Sequence, residues 1–361
     1  MDAVKFLKRI VRKLEYRQDL REKKKVITKN FKDLEHHRKL TKSQKKEVQD
    51  YYHGLIGHNV PLYSHEYFYS RTGFFTKEYV PTNLYHCDLI RKANYYPFMY
   101  AYSDKNMQDI ILEKENTVHA ILKNINGYYY YEGKPVSEEE AIMNCRNISK
   151  AILKPTLRSK GNGVKAISVK DGMTNIDGLT IGQLFKKYKK NFIIQECIKQ
   201  HELMSALNPT SVNTIRVLSY RSGMEVLIIY SVVRIGRKGQ VVDNQSAGGI
   251  STTISEDGRL GKEAFGGYNK DNILKTDTGI VLEGYQLPSY DKAIDMVKRL
   301  HMKLPYANIV GWDIAIQEDG EPVLIEFNTN TGLSQSAMKS GMGKYTERII
   351  KELWPRPNSK Y

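Results

Sequence analysis

Long apolar runs are missing from this sequence. The longest, Val226 to Val233, is eight residues and is itself broken by Tyr and Ser, far short of the roughly 20 needed to cross a bilayer. No spanning segment is expected. Cysteine is scarce: Cys87, Cys145 and Cys197 are the only three in 361 residues. They stand too far apart for a disulfide framework or a zinc site and read as packed thiols. The first residues lack an apolar core followed by a small-residue cleavage site, so no secretion signal is read and a cytoplasmic protein is expected. No Gly-Lys-Ser/Thr opens a helix, which excludes a Walker loop. No Ser/His/Asp or Cys/His arrangement offers a nucleophilic side chain. An aromatic-interleaved basic platform is also missing, so nucleic acid is not the expected partner.

What is present fits a globular chain of two or three subdomains, with 40% hydrophobic and 27% charged residues. The net charge of +16 is uneven, because residues 1 to 50 hold 17 Lys and Arg against 8 Asp and Glu. Within them Val4, Leu7, Ile10, Val11 and Leu14 recur at helical spacing beside Lys5, Lys8, Arg9, Arg12 and Lys13, the pattern of a basic amphipathic helix. Two readings follow. Either residues 1–35 lie on an anionic membrane surface or acidic partner, or the helix packs on its own domain with a solvated basic face. Deleting 1–35 is expected to reduce vesicle binding in the first case and to impair folding in the second.

Farther along, Thr41 to Tyr52 reads as a helix, and the Tyr- and Phe-rich stretch 61–102 shows no period. A helix is expected from Ser103 or Asp104, with Lys105 in its first turn and Met107, Ile110 and Ile111 inward. Ser137 and Glu140 form a capping-box signature for a helix over 138–147. Strands and helices then alternate. Strands are expected at 151–154, 166–169, 192–196, 214–220, 225–234, 241–243 and 250–254, with helices at 181–190 (capped by Thr180), 290–303 (capped by Ser289) and 344–354. The organisation is α+β on antiparallel ribbons.

The segment Ile309–Asn328 holds two apolar runs joined through Glu318-Asp319-Gly320-Glu321. Asp-Gly is a two-residue hairpin turn signal. Counting outward from it sets Asp313 opposite Glu326, and alternation places Asn328 on the same face as Glu326. Opposed carboxylates in apolar strands call for a cation, and oxygen-only donors suit magnesium. The alternative is exposed charge on an edge hairpin.

The pattern Asp313, Glu326, Asn328, then Thr331-Gly332, resembles the ATP-grasp signature of carboxylate:amine ligases. It departs from it where Asn328-Thr-Asn-Thr-Gly332 replaces the Pro-Gly that often follows the Asn. The resemblance covers roughly residues 100 to 335. It implies an ATP-grasp fold: nucleotide held between two α+β subdomains with antiparallel sheets, preceded by a basic helical N-terminal region. The implied division is 1–58 for that region, 59–145 for a pre-grasp region, 146–200 for the small subdomain and 201–361 for the large one. Asp313, Glu326 and Asn328 are implied to hold Mg2+ against ATP phosphates.

Upstream, Lys154-Pro155 and the loop Arg158-Ser159-Lys160-Gly161-Asn162-Gly163 read as a strand and a flexible turn whose amides can approach anionic oxygens. By itself this is equally an ordinary hairpin turn. The order of these parts resembles that of ATP-grasp proteins, and the resemblance implies that Lys105 and Lys154 contact phosphates, that Ser159, Gly161, Asn162 and Gly163 close over them, and that Gln195, Glu196, Cys197 and Ile198 form the adenine hinge. His201 stands either by the ribose or on the surface. Arg216 and Arg234, each in an apolar strand, want an anion, and both are candidates for steadying a transferring phosphoryl group. For Arg234 a structural ion pair is the competing reading. Asn244, Gly248, Gly249, Asn330 and Thr331 are candidate contacts for the acceptor substrate.

Ser-Val-Asn-Thr-Ile-Arg at 211–216 and the loop Asp243 to Gly249 resemble the sugar-transfer-associated branch of these proteins, found in bacterial surface-polysaccharide synthesis. That implies amide formation between an amine and a carboxylate-bearing glycan or small molecule. A kinase acting on a hydroxyl and a non-catalytic ATP- or glycan-binding scaffold are the competing classes.

Overall fold

The computed structural model describes residues 3–158, 161–237, 239, 243, 248–266 and 272–354. Two antiparallel sheets carry the site. The first is built from β1 (Ala120–Ile125), β2 (Tyr128–Tyr131), β3 (Lys134–Val136), β4 (Ile148–Pro155), β5 (Lys165–Lys170), β6 (Met173–Thr174) and β7 (Phe192–Glu196), in the order β3-β2-β1-β7-β4-β5-β6. Helices Glu138–Asn144 and Ile181–Tyr188 cover its apolar face with Ala141, Ile181, Leu184 and Phe185. Both begin with reciprocal capping boxes, Ser137 with Glu140 and Thr180 with Gln183, each worth about 1 kcal/mol. The sheet takes strands from both sides of position 145, so the expected boundary at 145/146 cuts through it.

The second sheet joins β8 (Thr214–Ser222), β9 (Glu225–Ile235), β10 (Ile250–Thr253), β11 (Ile309–Ile316) and β12 (Pro322–Asn328) in the order β10-β9-β8-β11-β12. Its strands are apolar on both faces because both faces are covered. Val310, Trp312 and Ile314 pack with Ala293, Met296 and Leu300 of helix Tyr290–His301. On the other side, Leu218, Tyr220 and Ile309 meet Val48 and Tyr52 of α2 (Lys42–Ile56), the π-helical turn Leu84–Leu89, and Ile349 and Ile350 of helix Thr346–Leu353. Truncating Trp312, fully buried and bonded through Nε1 to Ser219 Oγ at 2.7 Å, falls in the class that costs about 3–5 kcal/mol.

α1 (Ala3–Lys32) is a continuous helix with two different halves. From Tyr16 onward it is docked: Tyr16 Oη donates to Asp88 at 3.1 Å, Asp19 pairs with Arg91, and Ile27 and Leu34 pack with Tyr67 and Phe68 of α3 (Tyr63–Thr72). Before that, Phe6, Leu7, Ile10, Val11 and Leu14 are 41–64% exposed. The packed-helix reading therefore holds from Tyr16 onward, while the first half leaves its apolar residues exposed.

Several expectations need correction. Ser103 ends a helix (Tyr96–Ser103), and Asp104 caps a 3-10 turn (Lys105–Met107) that leads into Gln108–Leu112. Asn106, Gln108 and Leu112 face inward there, while Ile110 is exposed. Ser289 has φ of 49° and makes no cap bond. The expected strand 241–243 lies outside the described residues except for Asp243, which is not in a strand.

Candidate active site

The hairpin places Asp313 opposite Glu326, as the register count requires, but by a different route. The turn has three residues, Glu318 to Gly320, closed by Gln317 N–H to Glu321 O and Gly320 N–H to Gln317 O, both at 2.9 Å, with Gly320 at φ 83°. That slips the register by one. A bulge at Ile325, between the pairs Ile314–Leu324 and Asp313–Glu326, slips it back. The bulge also turns Ile325 and Glu326 toward the same cleft, so an apolar wall stands beside a carboxylate.

The sheets meet where Val118 N–H donates to Leu324 O at 3.3 Å, beside the β1–β7 end closed by Glu196 N–H to His119 O at 3.0 Å. Between them lies a cavity of about 180 Å³. Lys105, Lys154, Gly161, Asn162, Gln195, Glu196, Ile198, Arg234, Asp313 and Glu326 all line it. So do Val118, Ile152 and Ile325, which did not stand out in the sequence as site residues, and Arg158, Val212, Thr214 and Asp243, which belong to the motifs at 158–163, 211–216 and 243–249. A larger cavity of about 860 Å³ adjoins it, with Cys197, Glu196, Ile198 and His119 in its wall. Ser159 and Asn244 lie outside the described residues.

Charge in the cleft is arranged as two linked groups. Asp313, 1% exposed, accepts from Arg216 Nε at 2.5 Å and Nη2 at 2.7 Å, and from Arg234 Nη2 at 2.8 Å. Arg216 is its cross-strand partner in β8. Burial works against the Arg216 charge, but Asp313 overrides it and drives the guanidinium pKa up. Arg234 Nε donates to Thr214 Oγ1 at 3.1 Å and pairs with Asp243 at 3.5 Å; Asp243 also accepts from Thr214 Oγ1. The ion pair weighed for Arg234 is thus real, and it sits inside the cleft. Glu326 forms the second group, 3.0 Å from Lys105 Nζ and 3.4 Å from Asn328 Nδ2. Burial alone would raise its carboxyl; Lys105 and Lys154 outweigh this and hold it at about 2. Lys105 Nζ also donates to Arg158 O at 3.1 Å, tying the glycine loop to β12.

Beyond β12, Asn94 clamps the chain: its Nδ2 donates to Ile309 O at 2.8 Å and Thr329 O at 2.6 Å, and its Oδ1 accepts from Ile309 N–H at 2.9 Å. Thr331 Oγ1 accepts from Arg216 Nη1 at 3.2 Å. It reaches that position because residue 311 is glycine; a Cβ there would stand 2.4 Å from Thr331 Oγ1. Asn330 is exposed beside His86. Gly163 (φ 82°) presses on Pro155, where a Cβ would meet Cγ at 2.9 Å. Gly248 and Gly249 lead into β10, whose Ser251 pairs with Arg234. His201 is not part of the cleft wall. It caps helix Glu202–Leu207, its Nδ1 accepting from Leu203 N–H at 3.2 Å.

Among the described residues no three His, Cys, Asp or Glu side chains gather as a metal site. The oxygen set is two carboxylates and the Asn328 amide, which matches magnesium, an ion that usually takes one or two carboxylates and completes its shell with phosphate oxygens and water.

Two antiparallel sheets closing on a cleft, with lysines and a glycine loop on one and an Asp/Glu/Asn hairpin on the other, define an ATP-grasp fold. A profile of the sugar-transfer associated ATP-grasp family matches residues 85–351, and the chain belongs to that family. The family is related to carboxylate–amine ligases. Similar solved structures include an L-amino acid ligase from Bacillus licheniformis (11% identity, TM-score 0.38, covering 69% of this chain and 48% of that one). A biotin carboxylase from Campylobacter jejuni in complex with β-γ-ATP (12%, 0.42, 73% and 48%) and a D-alanine–D-alanine ligase from Bacillus anthracis (16%, 0.38, 70% and 67%) are others. The chain spans about half the length of the first two. No curated protein sequence matches it.

Proposed function

We propose that this protein is an ATP- and magnesium-dependent carboxylate:amine ligase acting on a carboxylate of a surface glycan or its precursor. The observation that carries the reading is the paired charge at the cleft: four cations, Lys105, Lys154, Arg216 and Arg234, converge on two carboxylates, Asp313 and Glu326. A carboxylate oxygen of the acceptor attacks the γ-phosphorus, ADP leaves, and an acyl phosphate forms. The amine then attacks the acyl carbon and phosphate leaves. Lys105 and Lys154 bind the phosphates, while Arg216 and Arg234 spread the charge that develops on the moving phosphoryl group. The apolar walls Val118, Ile152 and Ile325 take the adenine beside the 195–198 hinge. Asp313, Glu326 and Asn328 would hold magnesium, which would supply charge neutralisation for the phosphates.

The test is ATP turnover with panels of amines and uronic acids, using hydroxylamine as a trap. A hydroxamate is expected. Phosphorylated acceptor without hydroxamate makes the protein a kinase, and no turnover across the panel makes it a scaffold.

Lys154 gives this reading a pH signature. Burial lowers its ammonium from 10.5 to about 8, with Glu326 pulling the other way. The folded pKa lies below the unfolded one, so holding the charge costs stability below pH 8, and that cost fades between pH 8 and 10.5. Phosphate binding needs the charged form. ATP affinity is therefore expected to fall above pH 8, by up to about tenfold per pH unit, with proton uptake on binding. Calorimetry in buffers of different ionisation enthalpy reads both, and a flat affinity from pH 7 to 9.5 would separate Lys154 from the nucleotide.

No helix among the described residues is long and apolar enough to cross a membrane. We place the protein at an anionic membrane face through the undocked half of α1, whose exposed apolar residues stand in a lysine- and arginine-rich sequence. Deletion of 1–35 would strip Ile27 and Leu34 from their packing, so the informative truncation is 1–14. It is expected to abolish sedimentation with phosphatidylserine vesicles and keep turnover. Undiminished sedimentation would refute the membrane role.

A further inference from the structure

The π-helical turn Leu84–Leu89 plays no part in the chemistry above, yet polar groups in it and at its N-cap go unanswered. Asn83 Oδ1, Tyr85 Oη and His86 Nδ1 are buried atoms without a hydrogen-bond partner. Tyr85 is only 1% exposed. Folded proteins rarely leave such atoms unpaired, and a run of them on adjacent residues calls for an explanation. A π turn is itself a costly local geometry that recurs at functional sites.

The surroundings say what could answer them. Tyr85 packs in one cluster with Tyr230 and lies within electrostatic reach of Arg216. Tyr230 is already engaged: its hydroxyl donates to Gly332 O at 3.2 Å and accepts from Ser334 N–H at 2.8 Å. Arg216 is not exhausted. Among the described residues three of its N–H groups are used, two on Asp313 and one on Thr331, and a guanidinium has five. His86 bonds to Asn330, the exposed residue after the Asn94 clamp, and feels Lys23 of α1. Burial lowers His86 to about 4, so its ring is neutral and offers one donor and one acceptor.

These are short neutral donors and acceptors on buried and half-buried side chains, with a guanidinium within electrostatic reach of Tyr85. Hydroxyl groups match the first and a single carboxylate the second. We propose that Asn83, Tyr85 and His86, with Arg216 and the Asn330–Thr331 loop, form the acceptor subsite, and that it takes a polyhydroxylated carboxylate of the uronic-acid class. The carboxylate sits at Arg216, where the phosphoryl group arrives, and the ring hydroxyls satisfy the π turn. The assignment rests on the carboxylate-activating reading above and adds the residues that receive the acceptor.

Tyr85→Phe tests it, because structural and functional roles predict different results. The probe is D-glucuronate, titrated by calorimetry into the full chain saturated with magnesium and a non-hydrolysable ATP analogue, with D-glucose as the neutral control. Removing an unpaired buried hydroxyl should leave the melting temperature equal or higher. The ratio of glucuronate to nucleotide affinity should fall about tenfold, and His86→Ala should lower it similarly. Glucose should bind at least about tenfold more weakly than glucuronate to the wild type. An unchanged ratio in both variants overturns the subsite, and equal binding of glucose and glucuronate, or no glucuronate binding, overturns the substrate class. If the wild type fails to bind the nucleotide analogue, the ligase reading falls first and takes this one with it.

Discussion

Glu326→Gln is expected to lower magnesium-dependent turnover by roughly 10³-fold with a modest loss of stability. Gln keeps the shape and the contact with Asn328, so the strand survives. What goes is the charge that holds Lys105 and draws on Lys154. The side chain is 25% exposed, so the lost pairing costs about 1–2 kcal/mol, a shift of a few degrees in melting. The sharper consequence concerns ATP without metal. With no carboxylate competing for them, both lysines are free for phosphate, and the variant should bind metal-free ATP at least as tightly as the wild type does. Adding magnesium should then tighten binding in the wild type and not in the variant. Titrations with and without magnesium read this directly, and an equal magnesium response in the two proteins would remove Glu326 from the metal site.

Local signals were the most legible part of the fold. The capping box at Ser137, the cap at Thr180 and the limits of β7, β11 and β12 depend on residues a few positions apart, and the sequence displays them. The carboxylate pair was legible for a reason that was half wrong: a three-residue turn and the Ile325 bulge are errors of opposite sign, and only their sum was read. Apolar site residues were illegible. Ile152, Val212 and Ile325 look like any apolar core residue, since the wall of a cleft and the wall of a core use the same side chains. The aromatic stretch 61–102 showed no period because its rings serve three clusters: Phe68 and Tyr79 pack under α1, Tyr85 joins the core on one face of the second sheet, and Tyr102 the core on its other face. The tie of Thr214, Arg234 and Asp243 needs residues 29 apart brought side by side, which no spacing announces.

Asp313→Asn is expected to do more damage than loss of a metal ligand explains, because Asp313 is first a counter-ion. Two guanidiniums share its buried carboxylate, and an amide would present an N–H group to at least one of them. Leaving buried charge uncompensated costs about 3–5 kcal/mol, which for a domain of this size lowers the melting temperature by roughly 10 °C. Turnover should vanish as well, so a single variant cannot separate stability from chemistry. A triple replacement can. Asp313→Leu with Arg216→Met and Arg234→Met removes every charge of the group except Asp243; burial already raises that carboxyl, Arg234 no longer opposes it, and once protonated it stays bonded with Thr214. Apolar side chains of similar volume are a recognised substitute for a buried ion group, so this protein should melt well above Asp313→Asn while remaining inactive. Thermal unfolding and hydroxamate formation, measured on both proteins, carry the test. If the triple variant melts no higher than the single one, the arginines are not what Asp313 stabilises, and their convergence on it says nothing about phosphate. If it melts higher and stays inactive, the group is kept in the interior for what it does to a phosphoryl oxygen, since an apolar trio would have served the fold as well.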